Sequence, residues 1–244
     1  MSALLKILAS LTIALIFAVP SVAQKRASLT RAETKAAEQK LAALGYWTGP
    51  VDGVFDPATR AAMTAFQKWE GRAVTGRLTR EELEAIANSK TPTPRDGDYA
   101  HVEVDIDRQV LLIVDDKGVV RVLPVSTGTD KPFVYDGQTS IAYTPRGRFV
   151  VYEKGVGWED KLPGMYYANY ISGGIAIHGS KSVPAQPASH GCIRIPIFAA
   201  REVSRMLKLG TIVLVYDKVS FVSARSWVEN PKLKEAALAN SALH

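Results

Sequence analysis

The pattern of hydrophobic and polar residues changes once along this chain, between residues 88 and 99. Within residues 30–88, apolar residues recur at helical spacing, as at Ala62, Ala65 and Phe66. From Tyr99 onward, short apolar runs of strand length are separated by turn residues. The sequence therefore predicts a small all-helical part followed by a larger, mainly β part.

Capping residues define the predicted helices of the first part. Three sets of residues are typical of a helix N-terminus, two of them as capping boxes. They are Thr30 with Glu33, Asp56 with Pro57, and Thr79 with Glu82. Gly45 ends the first helix, and a turn rich in glycine follows it. We expect Phe66 and Trp69 to lie in the core of these helices.

The second part predicts many short strands and one late helix. Val102, Val104 and Ile106 alternate with acidic residues, which is strand spacing. Apolar runs on either side of residues 115–118 predict a hairpin. Further strands are predicted at 148–152, 174–178 and 211–216, and a helix at 197–209. This order favours a β-sandwich or barrel with a single late helix.

The two predicted domains are joined by a linker that contains two prolines. Residues 89–98 include Thr-Pro-Thr-Pro, which favours an extended, semi-rigid spacer. We therefore expect a helical domain at 30–88 and a β-rich domain at 99–217. Residues 218–244 are predicted to form a polar tail, to which we assign no chemistry.

The first residues have the features of a signal peptide. Lys6 precedes an apolar run at 7–19, and Ser21-Val22-Ala23 supplies small residues for cleavage. The run is short for a membrane span, although an uncleaved anchor is the alternative. We expect residues 1–23 to be removed after export. No stable membrane anchor is then expected.

The overall charge favours an anionic partner outside the cell. Hydrophobic residues make up 47% of the chain, which is typical of a globular protein, and the net charge is +6. A mildly basic exported protein suits a bacterial envelope. Nucleic acid is not an expected partner, because the Lys and Arg residues are spread along the chain without a basic run.

The single cysteine of the chain, Cys192, is the main candidate for chemistry. Disulfides within an exported chain need cysteines in pairs, so Cys192 has no internal partner. It lies within residues 189–194, fourteen positions after His178. A buried cysteine acting as a small hydrophobic residue is the ordinary alternative. The neighbouring His and Gly residues instead favour a nucleophile.

The residues around Cys192 can each assist a thiol nucleophile. The imidazole of His178 can take the thiol proton, and the carbonyl of Gly179 could hold its other ring nitrogen. Gly191 allows a tight turn whose amides could converge on an oxyanion. Arg194 lies on the same side of an extended segment as Cys192 and could hold a carboxylate.

A zinc site is the alternative use of these side chains. His178, His190 and Cys192 could supply three ligands. The chain lacks the usual spacings of zinc ligands, so we favour the nucleophile.

These motifs resemble a known family. Residues 177–180 and 189–194 match the signature of the L,D-transpeptidase (YkuD-like) catalytic domain, and 125–128 with 144–149 match its upstream pattern. Residues 44–67 resemble a peptidoglycan-binding-like module. The chain departs from the family at Ser180, where Thr is frequent, in a longer loop at 131–135, and in an insertion at 158–170.

The resemblance implies an exported enzyme of the periplasm or cell wall that acts on peptidoglycan tetrapeptide stems. A cysteine acyl-enzyme would form, release the terminal D-alanine and cross-link the dibasic third residues of two stems. No metal, nucleotide or other cofactor is implied. The alternatives are an L,D-carboxypeptidase or endopeptidase, a ligase that attaches protein to peptidoglycan, and a non-catalytic wall-binding protein.

The resemblance also implies a role for each residue of the site. The catalytic residues would be Cys192, His178, Gly191, His190, Ser189 and Gly179. Arg194 would bind a substrate carboxylate. The insertion forms either a lid whose side chains contact the stem or a loop with its own small core. As a lid, it would add Trp158, Tyr166 and Tyr167 to the substrate-binding residues.

Overall fold

The computed structural model describes residues 28–97, 99–160 and 164–220. The predicted signal peptide at 1–23 lies outside the described residues, as does most of the predicted tail. None of the helices within the described ranges combines the length and the apolar character that a membrane crossing requires.

Three helices form the N-terminal domain, and a fourth lies late in the β-rich domain. They are α1 (Arg31–Ala43), α2 (Pro57–Trp69), α3 (Arg80–Asn88) and α4 (Ile197–Met206). The capping box of α1 is confirmed, since the side chains of Thr30 and Glu33 each accept the other's backbone N–H. The Asp56 cap of α2 is also confirmed, with its carboxylate accepting the Thr59 amide.

The capping box predicted for α3 is only half formed. The Thr79 hydroxyl accepts the Glu82 amide at 3.2 Å. The Glu82 carboxylate, however, accepts from Arg72 at 2.9 Å and from Gln67 at 3.0 Å. Arg72 and Gln67 thus bind the Glu82 carboxylate, which would otherwise have accepted the Thr79 amide and completed the capping box.

Eleven strands are found among the described residues. They are β1 (His101–Asp105), β2 (Val110–Asp115), β3 (Gly118–Pro124), β4 (Pro132–Tyr135), β5 (Gln138–Ile141), β6 (Gly147–Val150), β7 (Glu153–Lys154), β8 (Tyr166–Ser172), β9 (Ile175–Ser180), β10 (Ile193–Pro196) and β11 (Ile212–Tyr216). One sheet has the order β3-β2-β1-β11-β6, a second has the order β10-β9-β8-β7, and β4 pairs with β5 alone.

The two larger sheets and α4 enclose the main core. Val102 and Val213 from the first sheet pack with Ile177 and Ile193 from the second and with Val203 of α4. All five are buried. The predicted β-rich domain with one late helix is therefore confirmed.

The alternating pattern of β1 predicts a strand correctly, but its acidic face is not exposed. Glu103 is fully buried. Its carboxylate accepts the backbone amides of Arg95 and Asp96, in the linker, at 3.0 and 2.8 Å. The Tyr216 hydroxyl donates to it at 2.8 Å. The linker thus covers this side of the sheet.

The helical domain packs directly on the same face of the five-stranded sheet as Glu103, which is the face opposite the main core. Phe66 and Leu41 share one buried cluster with Leu112 and Val122 of the sheet. The Val122 amide donates to the Gly45 carbonyl at 2.8 Å, and the Trp47 amide donates to Val122 at 3.2 Å. The linker therefore does not hold the two domains apart, because they share a core and a backbone pairing.

The loop expected at 131–135 is instead part of the β4–β5 hairpin. Its turn is Asp136-Gly137, with positive φ angles of 48° and 72°. An Asp-Gly pair is the usual signal for a two-residue hairpin turn. That signal was present in the sequence, and it could have predicted the hairpin.

Candidate active site

One cleft, of about 920 Å³, brings most of the predicted site residues together. Its walls come from β4, β9, β10 and the segments before β8 and β10. The lining residues are Phe133, Tyr135, Trp158, Gly164, Met165, Gly174, Ile175, His178, Ser180, Lys181, Ser182, Ser189, His190, Cys192 and Arg194. Among the described lining residues there are two permanent cations, Lys181 and Arg194, and no carboxylate.

His178 is positioned by β9 and fixed in one tautomer. Its Nδ1 lies 3.0 Å from the carbonyl oxygen of Gly179, as the sequence predicted. A carbonyl can only accept, so Nδ1 carries the hydrogen and Nε2 is left as a proton acceptor. Burial lowers the pKa of His178 to about 4, opposed by the Gly179 bond and reinforced by the charge of Arg194. The imidazole is therefore neutral at pH 7.

Gly179 must lack a side chain because α4 packs against β9 at this point. A Cβ atom on Gly179 would lie 2.4 Å from the Cβ of Ala200 and 3.3 Å from the Cα of Ile197. The glycine thus lets helix and strand approach closely while its carbonyl orients His178.

Cys192 lies immediately before β10 and is half-buried. Its Sγ contacts the Gly174 carbonyl at 3.5 Å. Burial raises the pKa of the Cys192 thiol, while the Ala176 amide and the charge of Arg194 oppose the rise. The resting site therefore holds a neutral thiol and a neutral imidazole, and proton transfer has to accompany attack.

The turn that presents Cys192 is held by Ser189. The Gly191 amide donates to Ser189 Oγ at 3.0 Å, and Ser189 Oγ donates to the Cys192 carbonyl at 2.5 Å. Gly191 has a φ of 141°, where glycine is favoured. The sequence predicted the Gly191 amide as an oxyanion donor, but in the resting structure Ser189 already occupies it. The Cys192 amide, the other predicted donor, stays a prediction.

Thr144 is a site residue that the sequence analysis did not single out. Its hydroxyl donates to the Gly191 carbonyl at 2.6 Å and accepts the Gly128 amide at 2.8 Å. It therefore connects two loops beneath the nucleophile. The signal was available, because Thr144 opens one of the upstream motifs that match the family.

Arg194 faces the cleft from a fixed backbone. Its amide and carbonyl exchange hydrogen bonds with Ser126 at 3.0 and 3.1 Å. Within the described ranges, no carboxylate forms an ion pair with its guanidinium. Its role in binding a substrate carboxylate stays a prediction.

His190 serves the shape of the cleft. Its ring is exposed and stacks on Phe133 of the β4–β5 hairpin, with centroids 4.3 Å apart and planes 2° apart. Nowhere in the described part of the chain do three or more His, Cys, Asp or Glu side chains group to hold a metal ion. The three-ligand zinc arrangement considered from the sequence is therefore not formed there.

The segment from Trp158 to Tyr170 combines both interpretations that the sequence left open. Trp158 lines the cleft, and the ammonium of Lys181 lies 5.5 Å from its ring centroid. Tyr166 and Tyr167, in contrast, pack against the main core and do not line the cleft. Tyr166 also contacts the ring of Trp158, with centroids 4.9 Å apart. The role of the two tyrosines as substrate contacts therefore stays a prediction.

Tyr170 packs against the same small apolar cluster as the nucleophile. It packs with Cys192 against the small cluster of Met165, Ala168 and Ala176. Burial raises the pKa of Tyr170 to about 12, with the charges of Glu159 and Glu153 adding to the rise. It thus forms a neutral, apolar wall beside the thiol.

Comparison with known proteins supports the assignment of both domains. The L,D-transpeptidase catalytic domain model matches residues 99–215, and a peptidoglycan binding domain model matches residues 30–86. An L,D-transpeptidase structure from Xylanimonas cellulosilytica is 39% identical and has a TM-score of 0.71. The match covers 75% of this chain and 93% of that one.

Two further relatives are more distant. An L,D-transpeptidase structure from Stackebrandtia nassauensis is 24% identical over 75% of this chain and 90% of its own, with a TM-score of 0.44. The OxPP cycle protein OpcA of Synechocystis sp. is 30% identical over 86 residues, which are 35% of this chain. The chain spans only 18% of that relative's length. Taken with the matched catalytic domain and the Xylanimonas structure, the cleft places this chain in the L,D-transpeptidase family of cell-wall enzymes, with a peptidoglycan-binding domain ahead of the catalytic one.

Proposed function

We propose that this protein is an exported L,D-transpeptidase that cross-links peptidoglycan through a Cys192 acyl-enzyme. The observation that carries the proposal is the shared cleft of Cys192 and His178, with the His178 tautomer set by Gly179. A neutral imidazole and a neutral thiol in one cleft are the pair that general-base catalysis requires. The peptidoglycan-binding domain identifies the polymer that carries the substrate.

The acylation step follows from these groups. His178 Nε2 takes the thiol proton as Cys192 Sγ attacks the carbonyl carbon of the third stem residue. The C–N bond to the terminal D-alanine breaks, and His178 returns the proton to the leaving amine. A thioester on Cys192 remains. The donor peptide bond supplies the free energy of the later cross-link.

The second step decides between a transpeptidase and a hydrolase. An amine from a second stem attacks the thioester, His178 takes its proton, and the Cys192 thiolate leaves and is reprotonated. Water in place of the amine would give a tripeptide and make the enzyme an L,D-carboxypeptidase. An amine on a protein would make it a protein ligase.

The charge of the cleft supports an anionic donor. Arg194 and Lys181 line it, and the described lining residues include no carboxylate. A stem peptide carries carboxylates at its terminus and along its branch points, so it is complementary to this lining.

The test is mass spectrometry of purified tetrapeptide muropeptides incubated with the enzyme. Cross-linked dimers with loss of one D-alanine are expected for the wild type, and none for Cys192→Ala. If tripeptides are the only products, the protein is an L,D-carboxypeptidase and not a transpeptidase. Turnover that survives in Cys192→Ala, with an unchanged circular dichroism spectrum, would rule out the thiol mechanism. The same variant serves as the control against a vestigial, purely wall-binding site.

A further inference from the structure

A buried lysine of the helical domain donates to the backbone of the catalytic domain. Lys68, on α2, is only 5% exposed. Its Nζ lies 2.8 Å from the Val125 carbonyl and 3.2 Å from the Gln109 carbonyl. Within the described residues no carboxylate forms an ion pair with it. Both of its partners therefore belong to the catalytic domain.

The first partner of Lys68 begins the segment that holds the catalytic strand. Val125 is followed by Ser126, whose amide and carbonyl pair with Arg194. The next residue, Thr127, accepts the Ser189 amide at 2.9 Å through its carbonyl. Arg194 and Ser189 lie on either side of Cys192 in the sequence, so this segment fixes the chain on both sides of the nucleophile.

The second partner of Lys68 holds the same segment through its side chain. The Gln109 amide group donates to Thr127 Oγ1 at 2.7 Å and accepts the Thr127 amide at 2.9 Å. Gln109 itself has a φ of 55°, in the left-handed region. Such a conformation is unfavourable for a residue with a side chain, and it persists where neighbours hold it. Lys68 is one of the groups that hold it.

Burial of the Lys68 amine costs free energy, so this side chain is a poor choice if its purpose is only to hold the two domains together. Burial lowers the pKa of Lys68 to about 7. The surrounding contact between α2 and the sheet is already apolar, with Phe66, Leu112 and Val122 in one cluster. An apolar side chain would extend that cluster without desolvating an amine. The contribution of Lys68 is therefore best explained by the two carbonyls that it holds.

We infer that Lys68 is a positioning residue for the active site, supplied by the peptidoglycan-binding domain. It acts through the Val125 and Gln109 carbonyls on the segment 125–128, and from there on the turn that presents Cys192. The inference rests on the proposed function in that Cys192 is taken as the reacting group. The helical domain thereby completes the catalytic domain as well as binding its polymer.

Alkylation of Cys192 by iodoacetamide tests the inference without any peptidoglycan substrate. Lys68→Met removes the donors and keeps the length of the side chain. Its alkylation rate at pH 7 is expected to fall about tenfold or more at a temperature where it is fully folded, because small displacements of a reacting group have large effects on rate. With muropeptide substrates, kcat should fall similarly while KM stays nearly unchanged, since Lys68 does not line the cleft.

Two matched variants separate positioning from general destabilisation. Leu112→Ala weakens the same domain contact without touching the two carbonyls, and it is expected to keep the wild-type alkylation rate. Lys35→Met removes an exposed charge from α1 and should also keep it. Lys68→Arg, which keeps N–H donors, should recover part of the rate.

Two outcomes would overturn the inference. In the first, Lys68→Met keeps the wild-type alkylation rate and loses only thermal stability. In the second, Leu112→Ala loses as much alkylation rate as Lys68→Met does. If Lys68→Met does not fold, Lys68→Leu, which also lacks donors, replaces it, and an unchanged rate in that variant would also overturn the inference. If alkylation responds as expected but no muropeptide is turned over, the proposed function fails and the positioning role stands.

Discussion

Arg194 lies directly opposite His178 in the parallel pairing of β10 with β9. This register places a permanent positive charge beside the imidazole. The charge adds to the burial that lowers the pKa of His178, and it opposes the burial that raises the pKa of Cys192. One arginine thus keeps the base unprotonated and eases formation of the thiolate, while its guanidinium stays available to the substrate.

The two histidines of the site should differ in their effect on the thiol. His178→Asn keeps a donor toward the Gly179 carbonyl but cannot take a proton. Turnover should fall by roughly 10²–10⁴-fold, which is the usual contribution of general acid–base catalysis. Alkylation of Cys192 at pH 7 should also fall, and it should recover at alkaline pH, where the thiolate forms unaided.

His190→Ala is the matched control for that experiment. It removes the stacking on Phe133 and should lower thermal stability, but the pH profile of alkylation should match the wild type. If His190→Ala changes the profile and His178→Asn does not, the base has been assigned to the wrong histidine.

The stability of the catalytic domain should decrease in mild acid because of His178. An unfolded histidine has a pKa of about 6.5, whereas the folded pKa of His178 is about 4. Between these values the unfolded chain binds the extra proton, so stability is complete above pH 6.5 and decreases as pH falls toward 4. The loss from this group is about 3 kcal/mol. Urea unfolding at pH 7, 5.5 and 4 measures it, and the same slope in His178→Asn would refute the assignment.

Gly179 should not tolerate even a methyl group. In Gly179→Ala the new Cβ would lie 2.4 Å from the Cβ of Ala200, so β9 and α4 must separate. We expect a loss of roughly 1–3 kcal/mol in the free energy of unfolding, as for other overpacked sites, and weaker activity as His178 moves with the strand. Gly97→Ala is the control, because a Cβ there meets nothing within 4 Å. Equal stabilities of the two variants would contradict the close helix–strand contact.

The charge of Lys181 should strengthen the binding of stems that carry free carboxylates. Lys181→Met is expected to raise KM about 1.5- to 5-fold for such stems, as loss of an exposed charge pair would. Stems whose carboxylates are converted to carboxamides should show no such rise. Lys208→Met, a lysine that does not line the cleft, is the control. A KM that rises equally for both kinds of stem would mean that Lys181 contributes contact area and not charge.

The two domains should unfold in a single transition. Leu112→Ala removes a buried side chain from the core that α2 shares with the sheet. The free energy of unfolding should fall by about 2–5 kcal/mol. Far-ultraviolet circular dichroism and the exposure of Cys192 to a thiol reagent should report the same midpoint. Val219→Ala, at a residue that is 96% exposed, is the control. Two separate midpoints would show that the domains are independent.

The local features of the fold could be predicted because they depend on neighbouring residues. Thr30, Asp56 and Gly45 mark helix ends because each acts on backbone groups only a few residues away. The core strands could be predicted from the spacing of their apolar residues. The candidate thiol and the candidate base were found in the same way, since Cys192, His178 and Gly179 lie in two short motifs. The Gly179 carbonyl could be assigned to His178 because the two residues are adjacent.

What could not be predicted depends on contacts between distant segments. Glu82 was expected to complete a capping box, but Arg72 and Gln67 hold it from another part of the domain. Tyr166 and Tyr167 were expected to contact the substrate, but both pack against the main core and neither lines the cleft. The apolar run of β2 predicted a buried strand, but it could not predict that the helical domain packs against it.

The common core of the two domains has a consequence for how the enzyme meets its polymer. Because α2 cannot leave the sheet without exposing Leu112 and Val122 to water, the polymer-binding domain and the thiol remain at a constant distance and angle. On the proposed function, a glycan strand held by the helical domain would present to Cys192 only those stems that project at the matching interval and orientation. The spacing and twist of the strands in the wall would then determine where cross-links form.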